Sequence, residues 1–199
     1  MSGKSTVLLP LAALLAAGCS SVNPVEVTFK HSVVGRTLSV QYSVVNRSWS
    51  PIVLFDGNMN RETGVPGVNE AWVDVQGGTA TFKAALVPSP DGSLMEFPNG
   101  FARELSPGSR AEGAFRLALP LRQSDTGYPL EEKRAAVELD TIQMVVGWAP
   151  KSATRANTDA ERPAGMGAEY RLFFFEVDNH VQRFATSAPV KLGGAGLIP

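Results

Sequence analysis

Seven consecutive residues, Asp56-Gly57-Asn58-Met59-Asn60-Arg61-Glu62, carry oxygen-bearing side chains at alternate positions, as the start of a calcium loop does. A hard cation such as calcium wants several oxygens at about 2.4 Å. The match then fails. Arg61 stands where the sharp turn needs glycine, Gly67 stands where the bidentate acid belongs, and Glu70 is out of step. A polar turn after a strand explains the same residues, because Asp, Gly and Asn favour turns. Asp56, Asn58, Asn60 and Glu62 are therefore weak metal candidates only, and no cofactor is expected. The two histidines, His31 and His180, have no His or Cys at ligand spacing. Asp178 and His180 would share one face of a strand, but no third ligand is visible, and a solvent-facing turn histidine is the simpler reading. Neither a G-x-S-x-G elbow, a P-loop nor a dinucleotide fingerprint occurs. What remains for catalysis is a scatter of carboxylates such as Asp56, Glu62 and Glu70, together with the single cysteine, Cys19.

Cys19 ends the stretch Leu14-Leu15-Ala16-Ala17-Gly18-Cys19, with Ser20 behind it, and follows Lys4 and an apolar core from Val7 to Ala17. This is signal-peptide architecture, and the small pair before the cysteine resembles a bacterial lipobox. The third residue before the cysteine departs from the usual leucine and is Ala16. The resemblance implies export, diacylglyceryl attachment to the Cys19 thiol, cleavage before it, and acylation of the new amino terminus. A lipidated Cys19 is not a nucleophile. Ser20, where inner-membrane retention prefers Asp, implies sorting to the outer membrane, facing the periplasm. The apolar core is too short to be a membrane span, which needs about 20 residues, and Pro10 suits such a helix badly. Residues 1–18 are thus expected to be signal peptide. Residues 19–24 form the lipidated cysteine and a tether reaching under roughly 20 Å, which keeps the domain close to the bilayer.

Composition agrees with this compartment. The chain has 199 residues, 44% of them apolar, and one cysteine, so a mature domain must hold together by its core without a disulfide. Net charge is −1, and losing Lys4 with the signal leaves 17 basic against 19 acidic side chains. That balance is no footprint for nucleic acid and adds no polybasic attraction to anionic lipid. Attachment would come from the acyl chains, at about 0.8 kcal/mol per buried CH₂.

The elements that must position any site read as strands and turns. Val25, Val27 and Phe29 alternate with Glu26, Thr28 and Lys30, and Leu38, Val40, Tyr42 and Val44 with Ser39, Gln41 and Ser43. Ile52-Val53-Leu54-Phe55 is a continuous apolar run that suits a strand covered on both faces. Ala80, Phe82, Ala84 and Leu86 alternate, as do Ala111, Gly113, Phe115, Leu117 and Leu119. From Val137 and Leu139 the apolar phase shifts to Ile142, Met144, Val146 and Trp148, so a bulge is expected near Asp140-Thr141. Phe173-Phe174-Phe175 reads as a buried strand, and Ala185 to Leu192 as a terminal one with Pro189 favouring an edge. Tyr128 to Ala136 suits a short helix or an irregular crossover. Residues 149–168 show no period and are expected to be a long mobile loop, with an ordered binding loop as the alternative. Residues 193–199 read as a flexible tail. Trp49, in a turn beside Pro51, is expected to fold back over one end of the domain, with a partner-facing aromatic as the alternative.

Many short strands with turn signals between them predict an all-β fold, a single antiparallel sandwich over residues 25–192. The stretch Leu38 to Ser48, followed by Pro51 to Phe55, resembles the opening hairpin of bacterial immunoglobulin-like domains. Leu105-Ser106-Pro107-Gly108-Ser109 is similar to a turn that many of them carry. The inter-sheet cysteine pair of antibody domains is missing, so the resemblance implies architecture and not activity. With no catalytic constellation, the expectation is a non-enzymatic lipoprotein, anchored in the outer membrane and serving as an interaction, accessory or assembly module for another envelope protein. A periplasmic small-ligand or glycan binder, or a protease-inhibitor-like module, is the alternative. A ligand binder predicts a concave pocket with convergent polar groups, and a scaffold predicts an apolar patch or an open edge strand.

Overall fold

The computed structural model describes residues 23–59, 66–67, 71–85, 99–121, 137–161, 165–175 and 182–198. Cys19, Leu86, the Tyr128 to Ala136 stretch and the Asp178/His180 pair lie outside them. Thirteen strands follow in chain order. They are β1 (Val25–Val34), β2 (Thr37–Asn46), β3 (Ile52–Met59), β4 (Pro66–Gly67), β5 (Trp72–Gln76), β6 (Thr79–Ala84) and β7 (Asn99–Leu105), then β8 (Arg110–Ala118), β9 (Val137–Pro150), β10 (Thr154–Asn157), β11 (Tyr170–Phe175), β12 (Arg183–Thr186) and β13 (Val190–Ile198). A 3₁₀ turn at Lys151–Ala153 is the only helical element among the described residues, and none there is long and apolar enough to cross a membrane.

The strands form two sheets. One has three strands in the order β1-β2-β8, antiparallel throughout. The other has ten, with β10-β11-β7-β3-β9-β6-β5 as its path. The fourteen residues of β9 organise this larger sheet. Its register pairs Gly147 with both Phe55 of β3 and Phe184 of β12, and Val146 with both Ala84 of β6 and Ala185 of β12. Hence β3 and β6 share one edge of β9, while β12 and β13 share the other. The β6–β9 pairing is parallel. That corrects the expectation of a wholly antiparallel arrangement: the sheet is mixed, and the chain reaches β9 from β6 by a crossover rather than a hairpin.

The alternating patterns bury the faces they predict. Leu38, Val40, Tyr42 and Val44 of β2 are buried, and they meet Ile52, Leu54, Phe82, Ile142, Met144 and Val146 of the other sheet in one shared core. Each such aliphatic or aromatic side chain contributes about 1.5–3 kcal/mol over leaving it in water. The run Ile52 to Phe55 is covered on both faces. Ile52 and Leu54 enter the shared core, and Val53 and Phe55 join Ala102, Ala149 and Phe173 in a second cluster behind the sheet. Turn chemistry supports the hairpins: Gly77 and Gly78 both take positive φ (55° and 78°) between β5 and β6, as a two-residue primed turn requires.

The expected irregularity at Asp140-Thr141 is present. Leu139 and Ile142, three apart, are both buried, and the amides of Asp140 and Thr141 both donate to the Gly78 carbonyl at 2.9 and 3.3 Å. Other expectations are revised. Residues 149–168, read as a long loop, finish β9 and then carry the 3₁₀ turn and β10, which pairs with β11. Cross-strand bonding orders a segment whose composition has no period. The terminal strand is two strands, split at Ser187 to Pro189, and the 193–199 tail belongs largely to β13, whose Gly196–Ile198 pair with Leu139–Val137.

Candidate binding face

Asp56 continues β3 rather than opening a loop, since the strand runs on to Met59. The pairing of β3 with β7 slips between Leu54/Arg103 and Gly57/Phe101, so β3 holds one residue more than β7 there. Such a bulge re-aims a side chain. Here it directs Asp56 into the interior. Gly57 is required at that point, because a Cβ would stand 2.6 Å from the Phe101 carbonyl oxygen.

Inside, the Asp56 carboxylate is fully buried and meets Arg103 of β7, whose Nη2 and Nε donate to Oδ2 at 2.5 and 3.1 Å. Tyr42 of β2 donates its hydroxyl to the same oxygen at 3.1 Å, from the opposite sheet. Arg103 also donates to the Glu112 carbonyl of β8 at 2.9 Å and lies 5.2 Å from the centre of the Tyr170 ring. One carboxylate and one guanidinium thus tie both sheets together. Burial pushes the Asp56 carboxyl above its ordinary value, and Arg103 with the Tyr42 and Tyr170 hydroxyls pulls it only part of the way back. Burial likewise raises both tyrosines, with Asp56 adding to the effect. Burial works against the Arg103 charge, but Asp56 together with Tyr170 and Tyr42 outweighs it. Gly113 of β8 makes room for this arrangement: it pairs with Tyr42, and a Cβ on it would overlap the ring at 2.2 Å. Asp56 is closed to solvent, Arg103 reaches the surface beside Glu112 and Glu169 (3.9 Å away), and the pair acts as a structural latch.

The accessible face lies on the other side of the three-stranded sheet. Thr28 of β1, Ser43 of β2 and Glu112 of β8 stand in one cross-strand row, and Lys30, Gln41 and Ala114 in the next. With Arg110 they line a hollow of about 480 Å³. Two cations, one carboxylate and three neutral polar side chains converge on it. The Ser43 Oγ is shielded from solvent and has no hydrogen-bond partner.

Beside this face runs an open edge. Among the described strands, β1 pairs only with β2. At its start it is tied down, since Asn23 Nδ2 donates to the Phe184 carbonyl of β12 at 2.9 Å. Its later half, from Lys30 to Val34, has no strand among the described residues on the side away from β2, and Val34 is 76% exposed. The free side of β8 is partly occupied, because Arg103 takes the Glu112 carbonyl.

The turn between β2 and β3 is the third exposed feature. Asn46, fully buried, builds it: Oδ1 accepts from the Ser48 amide and hydroxyl at 2.9 and 2.6 Å, and Nδ2 donates to the Ser50 and Leu105 carbonyls at 2.9 Å each. The Asn46 backbone also bonds Gly108 and Ser109 of the next turn. These bonds fix the turn with Trp49 facing outward, 98% exposed. The expectation that Trp49 folds back over the domain is therefore overturned. The turn is satisfied by its own polar groups and leaves the indole nothing to cover.

Of the weak metal candidates, Asp56 is consumed by the latch and Asn58 lies in β3 opposite Gly67, whereas Asn60 and Glu62 are outside the described residues, as is Glu70. His31 sits in β1 opposite Val40. Among the described residues no three His, Cys, Asp or Glu side chains gather as metal ligands would. Sequence reasoning missed Arg103, Asn46 and Gly113. Arg103 carries a usable signal, as a cation at an inward position of an otherwise apolar alternation, Phe101, Arg103, Leu105. No family model, curated protein or solved structure matches the chain, so what it does has to be argued from these three exposed features.

Proposed function

We propose that this protein is a non-enzymatic lipoprotein of the outer membrane, held by acyl chains on Cys19, whose immunoglobulin-like sandwich binds another envelope protein. The open later half of β1 carries this reading. An unpaired strand edge presents a row of amides and carbonyls, and proteins that do not use such an edge cover or blunt it. Adding a partner's strand satisfies those groups, and flanking side chains supply the selectivity. Lys30, Ser32 and Val34 line the solvent side of that edge. The buried latch fits the same purpose, because it holds the three-stranded sheet to the larger one and keeps the edge in place without offering chemistry of its own.

One observation favours a second reading. The hollow lined by Lys30, Gln41, Ser43, Arg110 and Glu112 suits a small polar ligand or a glycan, which would satisfy the Ser43 hydroxyl. Co-purification of the tagged mature protein from cell envelopes, beside a Cys19→Ser control, tests the main reading. The expected result is a discrete protein partner lost in the control. Recovery of no protein, with a saccharide or other small molecule retained through purification, would replace it by the second.

A further inference from the structure

The place where the chain joins the domain and its most exposed aromatic side chains lie at the same end. The Pro24 carbonyl accepts from the Arg47 amide at 2.7 Å, two residues before Trp49 in the same turn. Asn23 Nδ2 donates to the carbonyl of Phe184, the next most exposed aromatic residue at 52%. Both aromatics are therefore bonded, through their own segments, to Asn23 and Pro24, directly before β1. Neither packs into the core.

Charge at this end is nearly balanced. Arg47 is paired with Glu26 at 2.8 Å and Lys151 with Glu104 at 2.6 Å, while Arg110 and Arg183 have no carboxylate partner at salt-bridge distance among the described residues. An end with two exposed aromatics, neutralised acids and a small cationic excess is chemically suited to a lipid headgroup layer. There indole rings settle with the apolar body inward and the N–H wet.

We propose that the Trp49 turn is a membrane-interface anchor, seated with Phe184 in the headgroup layer of the leaflet that holds Cys19. This rests on the lipoprotein reading of Cys19 and adds an orientation to it. Three residues separate Cys19 from Asn23, so four Cα-to-Cα steps span at most about 14 Å at roughly 3.5 Å each. The headgroup region of one leaflet is itself about 5–8 Å deep. A tether so short brings this end, and no other, to the bilayer. The acyl chains supply the affinity, and Trp49 fixes the tilt. The later half of β1, from Lys30 to Val34, runs away from this end and faces the aqueous side, whereas the hollow begins at this end with Arg110, opposite Val45.

The test uses the full mature protein in vesicles of phosphatidylethanolamine and phosphatidylglycerol whose acyl chains carry bromine, a short-range tryptophan quencher. Emission from Trp49 is taken as the difference between wild type and Trp49→Phe, which a 98% exposed position tolerates. Mass spectrometry of Cys19 is read on the same sample. The expected result is an acylated Cys19 with Trp49 emission shifted to the blue and lost to the brominated lipid, and no loss in Trp49→Phe. An acylated Cys19 with Trp49 still quenched by aqueous acrylamide and untouched by bromine overturns the orientation alone, and would make Trp49 a protein-contact residue. A Cys19 without acyl groups overturns the anchor and the orientation together.

Discussion

Arg103→Met should be the most costly single substitution in the latch. It keeps the unbranched apolar stem of the side chain and removes the one cation that pairs with this fully buried carboxylate among the described residues. The Asp56 charge is then left in the interior with the tyrosine hydroxyls alone. The least costly escape is to bind a proton. Holding a carboxyl protonated at pH 7, about three units above its unfolded value near 3.9, costs roughly 4 kcal/mol at 1.36 kcal/mol per unit. Loss of the bond to the Glu112 carbonyl and of the Tyr170 ring contact acts in the same direction. The total agrees with the 3–5 kcal/mol typical of breaking a buried pair from one side. For a domain of this size that is a fall in melting temperature of roughly 8–16 °C. Urea and thermal unfolding followed by circular dichroism would measure it. Adding Asp56→Asn removes the stranded charge and should restore about half or more of the loss, because the amide still accepts from Tyr42. A loss below about 1 kcal/mol, or a double variant no better than the single, would refute the assignment of this pair as an inter-sheet latch.

Three further outcomes follow from the same geometry. Gly113→Ala forces the Tyr42 ring from its seat and should cost about 1–3 kcal/mol in urea unfolding; an unchanged midpoint would mean that the ring does not lie over β8. Because burial raises the Asp56 carboxyl in the folded protein, the folded state holds that proton more tightly than the unfolded chain. Its contribution therefore grows as pH falls through the folded-state value toward about 3.9 and is lost as pH rises back through it. Wild type should accordingly gain stability relative to Asp56→Asn on acidification, and the opposite trend would contradict the assigned direction. Trp49→Ala, at a 98% exposed position, should change unfolding by less than about 0.5 kcal/mol while weakening contact with brominated vesicles.

Much of the frame was legible because period-two alternation is a local signal. The β2 pattern from Leu38 to Val44 and the β9 phase shift at Asp140-Thr141 state which face is buried without any long-range knowledge. The double-faced burial of Ile52 to Phe55 was equally readable, because no polar residue interrupts the run. Partnerships were not legible. That β6 lies parallel to β9, or that β10 closes onto β11, depends on pairing between distant segments, and Thr154 to Asn157 has no alternation to announce a strand. The site was harder still. Asp56-Gly57-Asn58 reads as a turn by composition, and only the slip against β7 keeps it in a strand and turns the carboxylate inward. Trp49 was misread for a related reason. A tryptophan near a turn normally finds a core to cover, and nothing local says that Asn46 will satisfy the turn so completely that the indole stays outside.

Position-specific photo-cross-linking in intact cells tests the binding proposal most directly. A photoreactive side chain would replace Lys30 or Ser32 on β1, Ala114 in the hollow, or Asp74 on the far sheet as a control. The proposal predicts one discrete protein adduct from the β1 positions, lost in Cys19→Ser and absent from Asp74. Adducts equally frequent from Asp74, or none from β1 while Ala114 captures a small molecule, would contradict it.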